Sequence, residues 1–392
     1  MSPSPLRSRR GALRRACAAS AWARRATAAA VVVLCGLSLV PVSGCRVEPP
    51  ADRSLHPPGD AVEFESVRLS SAEETRILAR AAAAFAALDA SARREAVDRS
   101  SRAGDPEVRE VARLLRAIAD RLDDGRGHPG GCADLFLASF EVILPKATVS
   151  ASADALVTGY ATPRVQASRA ADARHALPIL GDLRHVDPAL AAAPRRAILD
   201  DPRTAREAIA WIADPLDWAL VETNGTAELD FGGGETIRIS RVATNGRAFT
   251  SLGRALAARG ALAAPFDLDD VRDAARTDPT LARAAALDNE RVVFFRVVAP
   301  DRFPPALGLD GRLLAGVSCA ADQSVHPPGS TLLLDEGDGA ALHLAFVHDA
   351  GGAIRGPSRV DLYFGCGPEA VAEAGRCRRP ARVLRLAPRR DE

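Results

Sequence analysis

The chain is short of lysine, methionine and aromatic residues, and it has no surplus of charge of either sign. Lys146 is the only lysine and Met1 the only methionine in 392 residues. Arginine therefore carries almost all the basic charge. Lys and Arg number 51 against 50 for Asp and Glu, a net charge of +1. That balance excludes the broad electropositive surface on which nucleic-acid binding depends. Aromatics make up 4% of the chain, and Tyr160 and Tyr363 are its only tyrosines. The seven cysteines and seven histidines show no Cys-x-x-Cys or Cys/His spacing of zinc type, so no metal is expected. The apolar run Ala26 to Val40 stops at about 15 residues, short of the ~20 a membrane span needs.

That run follows a basic region with Arg7, Arg9, Arg10, Arg14, Arg15, Arg24 and Arg25, the pattern of an export signal. Val42-Ser43-Gly44-Cys45 resembles a bacterial lipobox. Cleavage is expected before Cys45, with a lipid on Cys45. Residues 1–44 are then a signal peptide, and 45–62, rich in Pro and charge, a tether. Arg46 after the cysteine favours the outer membrane. Export permits disulfides. Cys132, Cys319, Cys366 and Cys377 allow three pairings, and Cys366 and Cys377 are near enough in sequence to bridge the last loop.

Apolar periodicity predicts amphipathic helices over Ser71 to Asp89 and Asp105 to Leu122, a helical piece within Thr204 to Trp218, and helices at Phe249 to Arg259, Leu268 to Ala275 and Pro279 to Leu287. Ala155 to Val165 reads as extended. Leu220 to Glu222, Glu228 to Phe231 and Thr236 to Ile239 read as a β-meander, with turns at Asn224-Gly225 and Gly232 to Gly234. Val292 to Val298, Leu313 to Ala321 and Thr331 to Leu334 read as further strands. No internal repeat is visible.

Ala345 to Gly367 (AFVHDAGGAIRGPSRVDLYFGCG) is the stretch richest in chemistry. Asp349 and Asp361 each adjoin an apolar run of strand type, Leu342 to Val347 and Val360 to Phe364, with glycines between. The pattern predicts a hairpin. Asp361, among Val360, Leu362, Tyr363 and Phe364, loses part of its hydration, which raises an acid's pKa and suits a general acid near neutrality. The same residues also fit a plain hairpin whose Asp side chains cap turns.

The motifs decide between these by their order. Thr158 to Pro163 (TGYATP), Val221 to Gly234 (VETNGTAELDFGGG), Asn245 to Arg254 (NGRAFTSLGR), Asn289 to Arg296 (NERVVFFR), Ala321 to Leu333 (ADQSVHPPGSTLL) and Asp349 to Gly367 follow one another. Together they resemble the membrane-bound lytic murein transglycosylase A family, from roughly Thr158 to Leu386. The resemblance implies a mainly β fold with accessory α-helices: a double-psi β-barrel with an inserted β-rich domain and a groove between them. Residues 63–160 and 298–392 would build the barrel, and 161–297 the insert. The last of three aspartates, Asp361, would be the catalytic acid, with Asp349 and Asp322 as supporting carboxylates. Tyr160, Thr162, Asn224, Thr226, Asn245 and Tyr363 would contact the glycan. Three of the family's patterns are altered. One aromatic stands at Tyr160-Ala161, Asn224-Gly225-Thr226-Ala227 replaces Gln-Gly-Ser-Gly, and Ala243-Thr244-Asn245-Gly246 replaces Gly-Lys-Asn-Gly.

The implied activity is non-hydrolytic cleavage of peptidoglycan, with no metal or organic cofactor. Its implied partners are glycan strands, other cell-wall enzymes, and a membrane only through the lipid. The implied place is the periplasmic face of the outer membrane. Two other readings stay open: a peptidoglycan-binding lipoprotein of this fold without turnover, and an unrelated exported β-protein.

Overall fold

The computed structural model describes residues 65–124, 129–146, 155–303, 309, 311–337, 340–351, 354–357 and 359–390. The expected signal peptide, tether and Cys45 lie outside the described residues. Short polar side chains start the first helices. Ser70 accepts from Glu73 N to cap α1 (Ser71–Ala87), Asp89 caps α2 (Ala90–Ser100), and Asp105 caps α3 (Pro106–Asp123) with Pro106 at its first position. With α4 (Pro129–Ser139), they bury Ile77, Leu78, Phe85, Leu115, Ile118 and Phe136. Opposite these lie Phe140, Leu333, Phe346 and Leu384 of a sheet. Later helices are α5 (Pro188–Ala191), α6 (Arg195–Asp200), α7 (Pro215–Asn224), α8 (Leu252–Ala258), α9 (Leu268–Thr277), α10 (Pro279–Ala286) and α11 (Pro368–Arg376).

The strands are β1 (Glu65–Arg68), β2 (Phe140–Lys146), β3 (Ala155–Thr162), β4 (Arg164–Ser168), β5 (Leu177–Leu180), β6 (Ala208–Ile212) and β7 (Thr226–Gly232), then β8 (Glu235–Thr244), β9 (Val293–Val297), β10 (Ser318–Ala321), β11 (Thr331–Asp335), β12 (His343–Asp349), β13 (Arg359–Cys366) and β14 (Arg378–Pro388). They form two barrels, so the fold is mainly β with accessory helices, as expected. In the first, β3, β13, β10, β12, β11 and β14 close into a ring, and β2 and β1 extend it from β14. In the second, β4, β6, β5, β9, β8 and β7 close around Val165, Leu177, Ile212, Leu229, Ile239 and Phe295. The chain enters the second barrel directly after β3.

The first barrel is threaded by crossings. β12 lies between β10 and β11, β10 lies between β12 and β13, and β3 lies between β13 and β14. This corrects the expected hairpin. β12 and β13 do not pair with each other; each pairs with β10, β12 in parallel and β13 antiparallel. A short run of four buried residues, Ser318 to Ala321, therefore separates the strands that carry Asp349 and Asp361.

Two further expectations are corrected. Leu220 to Glu222 belong to helix α7, which Asp214 caps and Gly225 ends in the left-handed region at φ +70°. The helical piece expected within Thr204 to Trp218 is present, as a 3-10 turn at Thr204–Glu207 and the first turn of α7, with strand β6 between them. The extended piece at Leu313 to Ala321 is a strand only from Ser318. Helices α2 and α11 and the 11-residue strand β14 had no counterpart in the sequence reading.

Candidate active site

Alternation along β3 puts Thr158, Tyr160 and Thr162 on one face. Register then decides what each meets. Asp361 is opposite Thr158 and Tyr363 opposite Tyr160 across the parallel β3–β13 pair. Ala320 of β10 is opposite both Asp349 and Asp361. The two acids thus flank one small buried residue, about two strand spacings (~10 Å) apart along the backbone. Close packing of α11 on β3 holds this wall in place. A β-carbon at Gly159 would lie 2.7 Å from the Phe364 ring and 2.8 Å from Ala374 Cα, so only glycine fits there. Farther along, the Ser318 hydroxyl and His348 Nδ1 are 2.8 Å apart and tie β10 to β12.

Asp361 accepts a hydrogen bond from the Thr158 hydroxyl on Oδ1, and Arg359 Nε reaches the same oxygen at 3.4 Å. Arg359 Nη2 also donates to Thr158 Oγ1 at 3.2 Å. Burial raises the Asp361 carboxyl above its ordinary range, and Arg359 opposes that rise. The Asp361 side chain keeps 21% of its surface exposed. Asp349 is more enclosed. Tyr160 OH donates to its Oδ2 at 2.8 Å and Ala350 N to its Oδ1 at 2.8 Å. Burial pushes its carboxyl up to about 6, against the pull of Tyr160, Ala350 and Arg241, and the neighbouring Asp361 adds to the rise. The barrel thus holds two half-buried carboxyls whose acid forms are favoured. Such a pair can lend a proton and take it back.

The other expected site residues have different places. Asp322 makes no hydrogen bond to either acid. Its Oδ1 accepts from Ser324 N and Oγ, and its Oδ2 from Gly356 N at 2.8 Å. Burial acts to raise its pKa, but these bonds outweigh burial and hold the carboxyl low. Asp322 is therefore a clamp joining two loops. Tyr363 is 2% exposed and offers no face to a sugar. Its ring lies 5.2 Å from that of Tyr160, and its OH is 3.1 Å from Thr162 Oγ1 and 3.2 Å from Cys366 Sγ. Thr162, 1% exposed, continues the chain to Thr226 Oγ1 at 3.3 Å. Buried Thr162 and Tyr363 thus form, with half-buried Thr226, a polar seam between the barrels.

Asn224 donates to Leu220 O at the end of α7. Asn245 is buried and spends both donors on Ala193 O and Glu290 O, and its Oδ1 on Val292 N and Arg247 N. It has no capacity left for a glycan. The sequence reading missed Thr158 and Arg359. Both lie two residues from a residue already singled out, Tyr160 or Asp361, and strand alternation is the signal for them. It also missed Arg241 of β8, for which a strand in the other barrel gives no local signal. The four described cysteines are free, and α11 stands between exposed Cys366 and buried Cys377.

Comparison with known proteins places this architecture. Residues 156–296 match the family described as the MltA specific insert domain, and residues 317–387 match the 3D domain family. The chain belongs to the MltA family. It is 31% identical over 247 residues to membrane-bound lytic murein transglycosylase A of Escherichia coli K12, covering 59% of this chain and 66% of that protein. The protein of the same description from Vibrio cholerae is 31% identical over 184 residues, 44% of this chain and 49% of that one. The chain thus aligns with about two thirds of the first relative and half of the second. Among solved structures, E. coli MltA with bound chitohexaose is similar with a TM-score of 0.62 at 21% identity, covering 85% of this chain and 94% of that one. The lytic transglycosylase LtgG of Burkholderia pseudomallei has a TM-score of 0.54 at 24% identity, over 83% and 96%. Those two structures share the MltA fold with this chain. No helix among the described residues is long and apolar enough to cross a membrane.

Proposed function

We propose that this MltA-family chain is a peptidoglycan lytic transglycosylase, cutting the β-1,4 bond between N-acetylmuramic acid and N-acetylglucosamine and leaving 1,6-anhydro-muramyl ends. The observation that carries this reading is the pair Asp361 and Asp349, both raised by burial, flanking Ala320 in the first barrel. Acid and base are assigned to Asp361, the last of the three aspartates, whose side chain keeps 21% of its surface exposed. Its proton goes to the glycosidic oxygen as the C1–O bond breaks. The muramyl C6 hydroxyl then bonds to C1, and its proton returns to the Asp361 carboxylate. Water takes no part, and the tethered nucleophile needs little ordering. Hydrolytic glycosidases divide this work between two carboxylates across the bond. Here Asp349 is already committed to Tyr160 and Ala350, which suits a tuning role.

In this reading the glycan lies between the barrels, with Tyr160 at its edge. Residues 63–160 and 298–392 form the catalytic domain and 161–297 an insert that grips the strand. Cys45 carries a lipid that holds the enzyme at the periplasmic face of the outer membrane, after removal of residues 1–44. The names of the relatives, membrane-bound murein enzymes, support both the substrate and the attachment.

The test is digestion of purified murein sacculi followed by mass spectrometry of the released muropeptides. Anhydro products, lighter by one water than hydrolysis products, are expected. Reducing ends would make the protein a hydrolase. Binding without any release would leave a glycan-binding lipoprotein of the same fold.

A further inference from the structure

Arg241 lies on β8 of the second barrel, outside the ordered motifs. Its backbone N–H donates to Gly225 O at 2.7 Å. Its side chain passes directly over Gly225. A β-carbon at 225 would lie 3.4 Å from Arg241 Cβ and 3.7 Å from its Nε, and Gly225 has φ +70°. The glycine is therefore both the end of α7 and the notch across which the arginine runs. Burial lowers the pKa of Arg241, with Asp349 of the first barrel opposing and Arg291 reinforcing.

A guanidinium offers five N–H donors. Among the described residues, none of those of Arg241 meets an acceptor within hydrogen-bond distance. Asp349 does not claim them, since its oxygens accept from Tyr160 OH and Ala350 N. A cation partly withdrawn from water with no acceptor is unfavourable unless something else completes it. A carboxylate fits a guanidinium fork with two parallel hydrogen bonds. Arg291 nearby adds a second positive charge that favours an anion.

We propose that Arg241 binds a carboxylate of the glycan strand beside the acid pair, so that the site selects muramyl sugars over uncharged N-acetylglucosamine oligomers. This assignment rests on the peptidoglycan reading above. The carboxylate belongs either to the lactyl ether of a peptide-free muramyl residue or to the stem peptide attached there. Both present the same chemistry to the guanidinium.

The test is glycan binding to the full-length protein carrying Asp361→Asn, which blocks turnover, with and without Arg241→Met. The probes are chitotetraose, a peptide-free muramyl tetrasaccharide and the same tetrasaccharide with stem peptides. Arg241→Met should weaken at least one acidic glycan about tenfold while chitotetraose stays within about twofold, which also shows that the variant is folded. The acidic glycan that responds identifies the lactyl or the stem carboxylate as the group bound. Arg241→Lys should recover part of the loss, and the lost affinity should fall with added salt. Equal weakening of all three glycans, or of none, overturns the assignment. If the Asp361→Asn protein binds no glycan at all, the peptidoglycan reading itself fails, and this assignment with it.

Discussion

Asp349 should make the protein less stable as the pH rises through the weakly acidic range, and Asp349→Asn should remove that loss. Its carboxyl is pushed from 3.8 to about 6, chiefly by burial. The folded-state pKa lies above the unfolded one, so the native state holds this proton more tightly between those values. The stability it contributes is fully present below the unfolded pKa and is lost as the pH rises through the folded one. A rise from 3.8 to about 6 corresponds to about 3 kcal/mol. An asparagine is close to isosteric and keeps one acceptor for Tyr160 OH or Ala350 N–H. Its cost, about 1 kcal/mol, does not change with pH. Denaturant midpoints of both proteins at about pH 4.5 and about pH 7.5 isolate the effect. The wild type should lose about 2 kcal/mol more than the variant across that interval, because pH 4.5 already lies above the unfolded pKa and part of the full amount is gone there. Asp217, also raised to about 6 by burial, titrates in both proteins and cancels in the difference. Equal losses in the two proteins would refute the burial of an ionisable Asp349.

Asp361→Asn should lower the release of anhydro-muropeptides by at least about 100-fold, with chitotetraose binding retained; full activity would remove Asp361 from the chemistry. Gly159→Ala should destabilise by about 1–3 kcal/mol, because Phe364 and the Ala374 backbone leave no room for a methyl, and a denaturation curve reads this directly. Glu222→Gln should cost about 3–5 kcal/mol by leaving Arg195, fully buried at 2.6 Å from Glu222, without its counter-charge. Asn245→Ala should destabilise by about 1–3 kcal/mol but leave glycan affinity unchanged, since its amide holds only its own barrel; weaker glycan binding at equal stability would restore it to the site.

The helices were legible where local chemistry decides them. Asp105 and Pro106 mark a start that the structure keeps, and the helix expected from Ser71 is capped one residue earlier, by Ser70. Leu220 to Glu222 were misread because their apolar, partly β-branched run also suits a strand; the cap at Asp214 and the left-handed Gly225 made them the end of a helix. The crossing in the first barrel was not legible. Nothing in Leu342 to Phe364 reveals that β10, more than 20 residues upstream, inserts between its two strands. Asp349 and Asp361 stand out in the sequence because they sit among apolar strand residues. Their partners were only half visible. Thr158 and Tyr160 alternate on one strand, whereas Arg241 comes from another barrel. Polar residue type alone misplaced Asn245 and Tyr363: each looks like a sugar contact in the sequence, and each is buried with its hydrogen bonds taken.

The central claim is that Asp361 serves as both acid and base in a cleavage that uses no water. Digestion of sacculi in oxygen-18 water tests it most directly. The account predicts anhydro-muropeptides without the label. One labelled oxygen at each new muramyl end would contradict it, because a water molecule would then have done what the tethered C6 hydroxyl is assigned to do.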